Sequence, residues 1–279
     1  MTADSEAAPL LSPLDILRWH IEMDIDEVIE DQPINHYARA TPLPTTSSST
    51  LSALPPPPAR PISSATVPSK QPLAPGEGAR DAITIARDAN SIEDLRERLE
   101  AFAGCALKFT ATNTVFADGN PSSDIMLIGE APGVDEDRQG LPFVGASGKL
   151  LNRILSALGQ ERSSVYISNI LFWRPPGNRS PTAAETAACL PFVKRHIELA
   201  QPKLLVFLGG SSSKVMLGRT EGIMRLRGKW FEYTSDGLEA PIPAMPTFHP
   251  AFLLRQPAQK REAWQDFLTI QEKLEKLQI

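Results

Sequence analysis

Residues 129–148 read GEAPGVDEDRQGLPFVGASG and directly follow the short apolar run of residues 125–128. This pattern predicts a buried strand that ends in a Gly- and Pro-rich loop and is followed by a helix. In open α/β sheets, ligands bind where strand ends lead into such loops and into helix N-termini. The loop contains the carboxylate of Glu130 and the ring of Phe143, so we predict a binding site here. The charged run at residues 135–138 is interpreted as a solvated face of the same loop.

Strand patterns and helix patterns alternate through the rest of the chain. Apolar runs predict strands at residues 124–129, 165–170, 203–208 and 246–248, with a candidate edge strand at 229–234. Apolar residues at helical spacing predict helices at 146–158, 183–200, 211–217 and 261–277. Such alternation implies parallel βαβ units. The predicted fold is therefore an α/β, three-layer α/β/α sandwich with a central, mostly parallel four-stranded sheet, preceded by an N-terminal helix and a Pro-rich linker.

The first 80 residues differ in composition from the rest. Residues 1–31 contain nine acidic side chains and one basic side chain, and apolar spacing predicts a helix at 14–29. This acidic helix is interpreted either as docked on the body of the protein or as a recognition helix for a protein partner. Residues 32–80 are rich in Pro and Ser and lack apolar density, so they are predicted to be a disordered or extended linker. The ordered domain is predicted to span residues 81–279.

Composition narrows the class of protein. Two cysteines, Cys105 and Cys189, provide no disulfide framework and suit a reducing cytosol. No apolar run reaches about 18 residues and no signal-peptide pattern opens the sequence, so neither a membrane span nor export is expected. The absence of G-x-x-x-x-G-K-[ST] and G-x-G-x-x-G motifs weakens a nucleotide-binding interpretation of the 129–148 loop. The net charge of −5 comes from the acidic N-terminal arm, and the mildly basic remainder is compatible with DNA.

Four motifs fall at the carboxyl ends of the predicted strands, which form one edge of a parallel sheet. They are GEAPG (129–133) with GLPFVG (140–145), YISNI (166–170), RPPGNRSP (174–181) and HPAFLLR (249–255). This ordered set resembles the uracil-DNA glycosylase superfamily, in its family 4 branch of bacterial and archaeal enzymes, over about residues 91–278. The resemblance implies a monofunctional enzyme that hydrolyses the N-glycosidic bond of deoxyuridine in DNA and leaves an abasic site for base-excision repair.

The resemblance assigns roles to residues of these motifs. It implies that Phe143 stacks on a uracil flipped out of the DNA and that Asn169 reads its Watson–Crick edge. An amide side chain offers the acceptor for uracil N3–H and the donor for O4. His249 is implied to donate to uracil O2, where negative charge grows as the glycosidic bond breaks. Glu130 is implied either to orient the attacking water or to line the pocket through its backbone, beside Ala131.

The same resemblance predicts contacts with DNA around the pocket. Leu253 or Leu254 is implied to enter the minor groove as the base leaves, and Arg255 to contact a phosphate. Further candidates for contacts with the DNA backbone are Arg174, Asn178, Arg179, Ser147 and Lys149. The implied partner is uracil-containing DNA, bound by a monomer in the bacterial cytosol at the nucleoid.

The chain departs from family 4 at the positions of its iron–sulfur cluster. Typical members hold a [4Fe–4S] cluster through four cysteines, and the matching positions here are Phe102, Cys105, Trp173 and Cys189. Because a cubane cluster needs four anchors, we predict no cluster and no other cofactor or metal. Phe102 and Trp173 are expected to fill the vacated volume as apolar core, with the two thiols reduced and close in space.

Two other interpretations stay open at this point. The chain could be a catalytically weak or inactive glycosylase fold that serves as a DNA-binding module. It could also be an interaction protein that recruits repair partners through its acidic helix. The presence of Glu130, Phe143, Asn169 and His249 at the motif positions favours the enzyme.

Overall fold

A six-stranded sheet forms the centre of the protein, for which a computed structural model describes residues 77–277. Its strands are β1 (Ala117–Gly119), β2 (Ile125–Gly129), β3 (Tyr166–Asn169), β4 (Leu204–Leu208), β5 (Phe231–Tyr233) and β6 (Ile242–Thr247). They are ordered β1-β3-β2-β4-β6-β5 across the sheet. The four central strands run parallel to one another, and β1 and β5 pair antiparallel at the two edges.

Helices fill the connections between these strands. The α-helices of the described residues are α1 (Glu77–Arg87), α2 (Ile92–Ala101), α3 (Val134–Gln139), α4 (Ala146–Ala157), α5 (Ala183–Ala200), α6 (Gly210–Leu217), α7 (Ile223–Leu226), α8 (Pro250–Arg255) and α9 (Lys260–Leu277). Short 3-10 helices occur at Ala106–Phe109, Arg162–Ser164, Pro176–Asn178 and Pro257–Gln259. Side-chain caps fix where two helices begin, since Ser91 accepts the Asp94 N–H before α2 and Thr182 accepts the Glu185 N–H before α5.

Alternate side chains of the parallel strands face two separate apolar cores. Met126 and Ile128 of β2 pack with side chains of α1, α2 and α5, whereas Ile125 and Leu127 pack with side chains of α4 and α9. A strand that is buried on both faces has a continuous apolar sequence, and β2 and β4 both have one. The three-layer α/β/α sandwich predicted from the sequence is confirmed.

The sheet is wider than predicted, and its last strand is longer. β1 was not predicted because its three residues, Ala-Asp-Gly, form no apolar run. The candidate edge strand at 229–234 contains β5. β6 begins at Ile242 rather than at residue 246, and it contains Pro243 and Pro246. Proline lacks the N–H of a ladder hydrogen bond, so Pro243 and Pro246 are unusual residues for a central strand.

The described residues begin before the predicted domain start at residue 81. They open with α1, which spans Glu77–Arg87. The acidic helix predicted at 14–29 and residues 32–76 of the predicted linker lie outside the described residues. Between residues 77 and 277, no helix combines the length and the apolar character needed to cross a membrane.

The charged run at residues 135–138 lies in α3, and its interpretation as a solvated face is wrong for two of its residues. Glu136 and Asp137 are buried, with 7% and 5% of their surface exposed. The Asp137 carboxylate accepts the N–H groups of Thr112 and Asn113 at 2.8 and 3.2 Å. Backbone donors replace water around this carboxylate, and they tie α3 to the segment that precedes β1.

Parallel register brings the carboxyl ends of the central strands to one edge of the sheet. Gly129 at the end of β2 pairs with Asn169 at the end of β3. Leu208 at the end of β4 pairs with Thr247 at the end of β6. The four sequence motifs lie at or just after the ends of β2, β3 and β6, so they share one edge of the sheet.

A buried ion pair holds the end of β6 against α9. The Asp266 carboxylate, 3% exposed, accepts from Thr247 Oγ1 at 2.8 Å and pairs with Arg227 at 2.5 Å. The Arg227 guanidinium also lies 5.2 Å from the centroid of the Phe248 ring. Because an unpaired buried charge is costly, the two residues stabilise the fold only as a pair.

We expect Asp266→Ala to lower the free energy of unfolding by about 3 kcal/mol, because Arg227, with 15% of its side chain exposed, loses its buried carboxylate partner and keeps only the more exposed Glu262. Urea denaturation followed by circular dichroism measures the change. Glu262→Ala is the matched control, since it removes the more exposed ion-pair partner of the same guanidinium and should cost less than about 1 kcal/mol. Equal losses in the two variants would contradict the prediction.

Candidate active site

A cavity of about 520 Å³ opens at the edge of the sheet where the parallel strands end. Its lining includes these residues of the predicted motifs: Glu130, Ala131, Phe143, Ser147, Asn169, Asn178, Arg179, His249 and Arg255. The predicted DNA contacts outside the lining are Arg174, Lys149, Leu253 and Leu254. The volume is typical of a small-molecule site and sits at the strand ends, where α/β folds bind their ligands.

Gly129 lies directly against Phe143 and Asn169, two residues that line the cavity. A Cβ atom at Gly129 would lie 2.6 Å from Phe143 Cζ and 2.4 Å from Asn169 Oδ1, so a side chain there would displace both groups. Phe143 and Asn169 are 3% and 1% exposed. Asn169 Oδ1 is buried and has no hydrogen-bond partner among the described residues. An unpaired buried acceptor is costly, and a ligand with an N–H group would satisfy it.

His249 follows β6 and caps α8. Its Nδ1 accepts the N–H of Ala251 at 3.1 Å, so the proton of the neutral imidazole resides on Nε2. Burial, with a smaller effect from the charge of Arg255, lowers the pKa of His249 to about 4. Its ring centroid lies 5.4 Å from that of Phe143. At neutral pH the cavity thus contains an uncharged imidazole donor beside an aromatic ring.

The carboxylates of Glu130 and Glu136 line the cavity, and only that of Glu136 is hydrogen-bonded to other groups that the structure describes. Glu136 Oε1 accepts the N–H groups of Val144 and Gly145, each at 2.9 Å. The half-buried Glu130 side chain makes no hydrogen bond or ion pair with the other residues that the structure describes. Its backbone carbonyl accepts the Leu171 N–H at 3.0 Å. Glu130 therefore combines an anchored backbone with an available carboxylate.

The Pro-rich loop after β3 supplies one rim of the cavity. Arg179 donates two hydrogen bonds to the Glu185 carboxylate, at 2.9 and 2.6 Å, and this pairing lowers the pKa of Glu185 to about 2. Arg174 Nε donates to Asn178 Oδ1 at 2.7 Å. The loop is thus held in shape by its own side chains, and much of the Arg179 charge is offset by its partner.

The two adjacent leucines of the HPAFLLR motif point to different sides of helix α8. Leu253 is 1% exposed and packs in a core with Phe248, whereas Leu254 is 43% exposed. Arg255 is exposed and contributes to the cavity rim. Lys149 is exposed on α4. Of these four candidate DNA contacts, only Leu253 is withdrawn from the surface.

Several lining residues were not predicted from the motifs. Glu136 was assigned to a solvated run, and Ile223 lies in a segment without a recognisable pattern. Gly209 and Gly210 also line the cavity, at the point where β4 leads into α6. The GGSSS sequence at 209–213 repeats the strand, glycine loop and helix pattern of residues 129–148, and that signal could have identified them. Gly209 has φ +95, and a Cβ there would lie 3.0 Å from His249 Cβ.

The four positions that the resemblance assigns to cluster ligands lie in one buried core. Phe102 and Trp173 are 4% and 1% exposed, and the Phe102 ring lies 5.1 Å from the ring of Phe192. The thiols of Cys105 and Cys189 are hydrogen-bonded to each other. That bond lowers the pKa of Cys105 and, together with burial, raises the pKa of Cys189 well above its usual range.

Several curated relatives of the chain are named type-4 uracil-DNA glycosylases. The chain is 39% identical over 188 residues to the one of Sulfurisphaera tokodaii, a match that covers 66% of this chain and 84% of the relative. The corresponding protein of Archaeoglobus fulgidus is 37% identical, with 65% of this chain and 92% of the relative covered. That of Thermotoga maritima is 38% identical, with 59% and 83% covered.

These relatives correct the prediction that the chain has no cofactor, because type-4 uracil-DNA glycosylases are iron–sulfur enzymes. The residues at the four corresponding positions do not by themselves form a four-thiolate site, since two are thiols and two are buried aromatic side chains. Within residues 77–277 there is also no group of three or more His, Cys, Asp or Glu that could hold a metal ion. A cluster bound at this position would need ligands beyond Cys105 and Cys189.

The family model of the uracil DNA glycosylase superfamily matches residues 116–268. The match extends from the end of the segment before β1 into α9, so it contains all the strands of the sheet and all four motifs. Together with relatives that the chain covers over most of their length, it establishes the family. The chain belongs to the uracil-DNA glycosylase superfamily.

Proposed function

We propose that the cavity holds a uracil flipped out of DNA and that the chain, as a uracil-DNA glycosylase, hydrolyses the N-glycosidic bond there. The observation that carries this proposal is the buried, unpartnered Oδ1 of Asn169 beside the ring of Phe143 and the imidazole of His249. The Asn169 amide can accept from uracil N3–H and donate to O4. Stacking on Phe143 and readout of one base edge are what a base-flipping enzyme requires.

Bond cleavage moves the electron pair of the C1′–N1 bond onto the uracil ring, and negative charge collects at O2. The Nε2–H of His249 donates to that oxygen. A donor aimed at developing charge in a buried site contributes about 3–4 kcal/mol. Water then bonds to C1′ through its oxygen, and its proton passes to the Glu130 carboxylate. Glu130 is assigned this role because its carboxylate is available, whereas that of Glu136 is saturated by backbone N–H groups.

Contacts with DNA surround the cavity in this proposal. Leu254 acts as the apolar wedge, because Leu253 is buried in the core and Leu254 projects into solvent. Arg255 contacts a phosphate from the rim. The supporting backbone contacts come from Ser147, Lys149, Arg174, Asn178 and Arg179. The alternative of an inactive DNA-binding module is not favoured, because the type-4 relatives are named as glycosylases.

A protein partner for the acidic helix at 14–29 is a further part of the proposal, supported by composition alone. The enzyme is proposed to act as a monomer at the bacterial chromosome.

His249→Ala is expected to lower the single-turnover rate of uracil excision by about 10²–10³-fold, because it removes the donor to O2. Asn169→Ala should also lower the rate and weaken inhibition by free uracil. Alkali-dependent cleavage of an oligonucleotide with one uracil measures both. Leu254→Ala is the comparison, since it should impair excision from duplex more than from single-stranded DNA. Wild-type rates for His249→Ala would rule out the assigned role.

The pKa of His249 predicts a pH dependence. Because the pKa of His249 is lowered in the folded protein, the unfolded chain binds a proton at His249 below about pH 6.5, whereas the folded protein does not. His249 therefore favours folding fully above that pH, and this contribution is lost as pH falls toward about 4. We expect the excision rate to show no loss attributable to His249 between pH 8 and about 5. NMR titration of the imidazole, assigned with His249→Ala, tests this, and a midpoint near 6.5 would contradict it.

Removal of residues 1–75 should leave excision from naked DNA within about twofold of the full chain, because the described cavity is built entirely from later residues. Capture of protein partners by the full chain and by the truncated chain gives the complementary measurement. Retention of every partner after truncation would exclude the role proposed for the acidic helix.

A further inference from the structure

Phe143 occupies a backbone conformation that its side chain disfavours. Its φ is +53, in the left-handed region that bulky residues adopt only when their surroundings hold them there. Its ring nonetheless contacts Gly129 and lies 5.4 Å from the ring of His249. The orientation of the ring in the cavity therefore depends on groups that fix the main chain at residue 143.

Two charged side chains hold the peptide groups on either side of Phe143. Glu136 Oε1 accepts the Val144 N–H at 2.9 Å, and Arg162 Nη1 donates to the Phe143 carbonyl at 3.0 Å. The peptide group between residues 143 and 144 is thus bonded at both its nitrogen and its oxygen. Arg162 also donates to the carbonyl of Pro142. Because peptide groups are planar, holding both neighbours restricts φ and ψ of the residue between them.

Both charged side chains are themselves anchored. Glu136 is 7% exposed, and its other oxygen accepts the N–H of Gly133 at 3.1 Å, which ties the Phe143 loop to the loop of Glu130. Arg162 forms an ion pair with Asp118 of β1. The main chain at Phe143 is therefore held between α3 on one side and the sheet edge on the other.

We infer that Glu136 and Arg162 are positioning residues for uracil stacking, an inference that rests on the stacking role proposed for Phe143. They keep Phe143 in its left-handed conformation before DNA binds, so the ring is in place when the base arrives. Loss of either side chain allows the main chain to relax to a negative φ, and the ring then leaves its position beside His249.

A double-mutant cycle on single-turnover excision tests the inference. Glu136→Gln replaces one acceptor oxygen by an amide donor that faces backbone N–H groups, and we expect a loss of about 10–100-fold. Phe143→Ala should lower the rate as well. Because Glu136 acts through Phe143, adding Glu136→Gln to Phe143→Ala should change the rate by less than about twofold. Asp135→Asn is the matched control, since it removes the neighbouring, more exposed charge and should keep the rate within about twofold.

The possible outcomes are distinct. An equal fold loss from Glu136→Gln with and without Phe143 would overturn the inference, because Glu136 would then act independently of the ring. A full rate for Glu136→Gln would overturn it too. A full rate for Phe143→Ala would instead refute the proposed stacking role itself. If circular dichroism shows that Glu136→Gln does not fold, Arg162→Lys enters the same cycle, and its effect should likewise disappear without Phe143.

Discussion

The pairing of β2 with β3 does not stop where the strands end, and the site depends on this extension. Beyond the last paired residues, the Ile170 N–H donates to the Gly129 carbonyl and the Leu171 N–H donates to the Glu130 carbonyl, each at 3.0 Å. The backbone of the loop that contains Glu130 is therefore part of the hydrogen-bonded scaffold. Groups on such a scaffold lose little further conformational entropy when a substrate binds, which is the physical basis of preorganisation.

A neutral imidazole donor and a carboxylate bound by backbone N–H groups contribute to the electrostatics of the cavity. Glu136 is stabilised by three N–H groups, and His249 is uncharged because it is buried. Such an arrangement suits a reaction in which charge is absent in the ground state and appears on the departing base. A buried cation next to uracil would be costly to desolvate before the reaction, whereas a neutral donor avoids that cost and still interacts with the anion as it forms.

The sequence was informative where short apolar runs meet Gly- and Pro-rich loops, and the structure brings Phe143, Asn169 and His249 from these segments to the lining of one cavity. It failed where tertiary contacts override local pattern. Buried Glu136 resembles any charged residue in the sequence, because the backbone N–H groups that bind it come from another loop. The choice between Leu253 and Leu254 depends on which face of α8 packs on the core. The prediction that the chain has no cofactor was wrong because it relied on the two absent cysteines, whereas type-4 uracil-DNA glycosylases are iron–sulfur enzymes.

The two prolines of β6 have a consequence for how the chain finds its native pairing. Pro243 lies opposite Glu232 of β5, and Pro246 lies opposite Phe207 of β4. Proline has no backbone N–H to donate to a neighbouring strand. A misaligned pairing that places either proline opposite a carbonyl that requires a donor therefore loses a hydrogen bond. Slippage by one residue would also turn His249 toward the opposite layer. The prolines that obscured this strand in the sequence thus penalise misfolded alternatives in which the imidazole would be lost from the cavity.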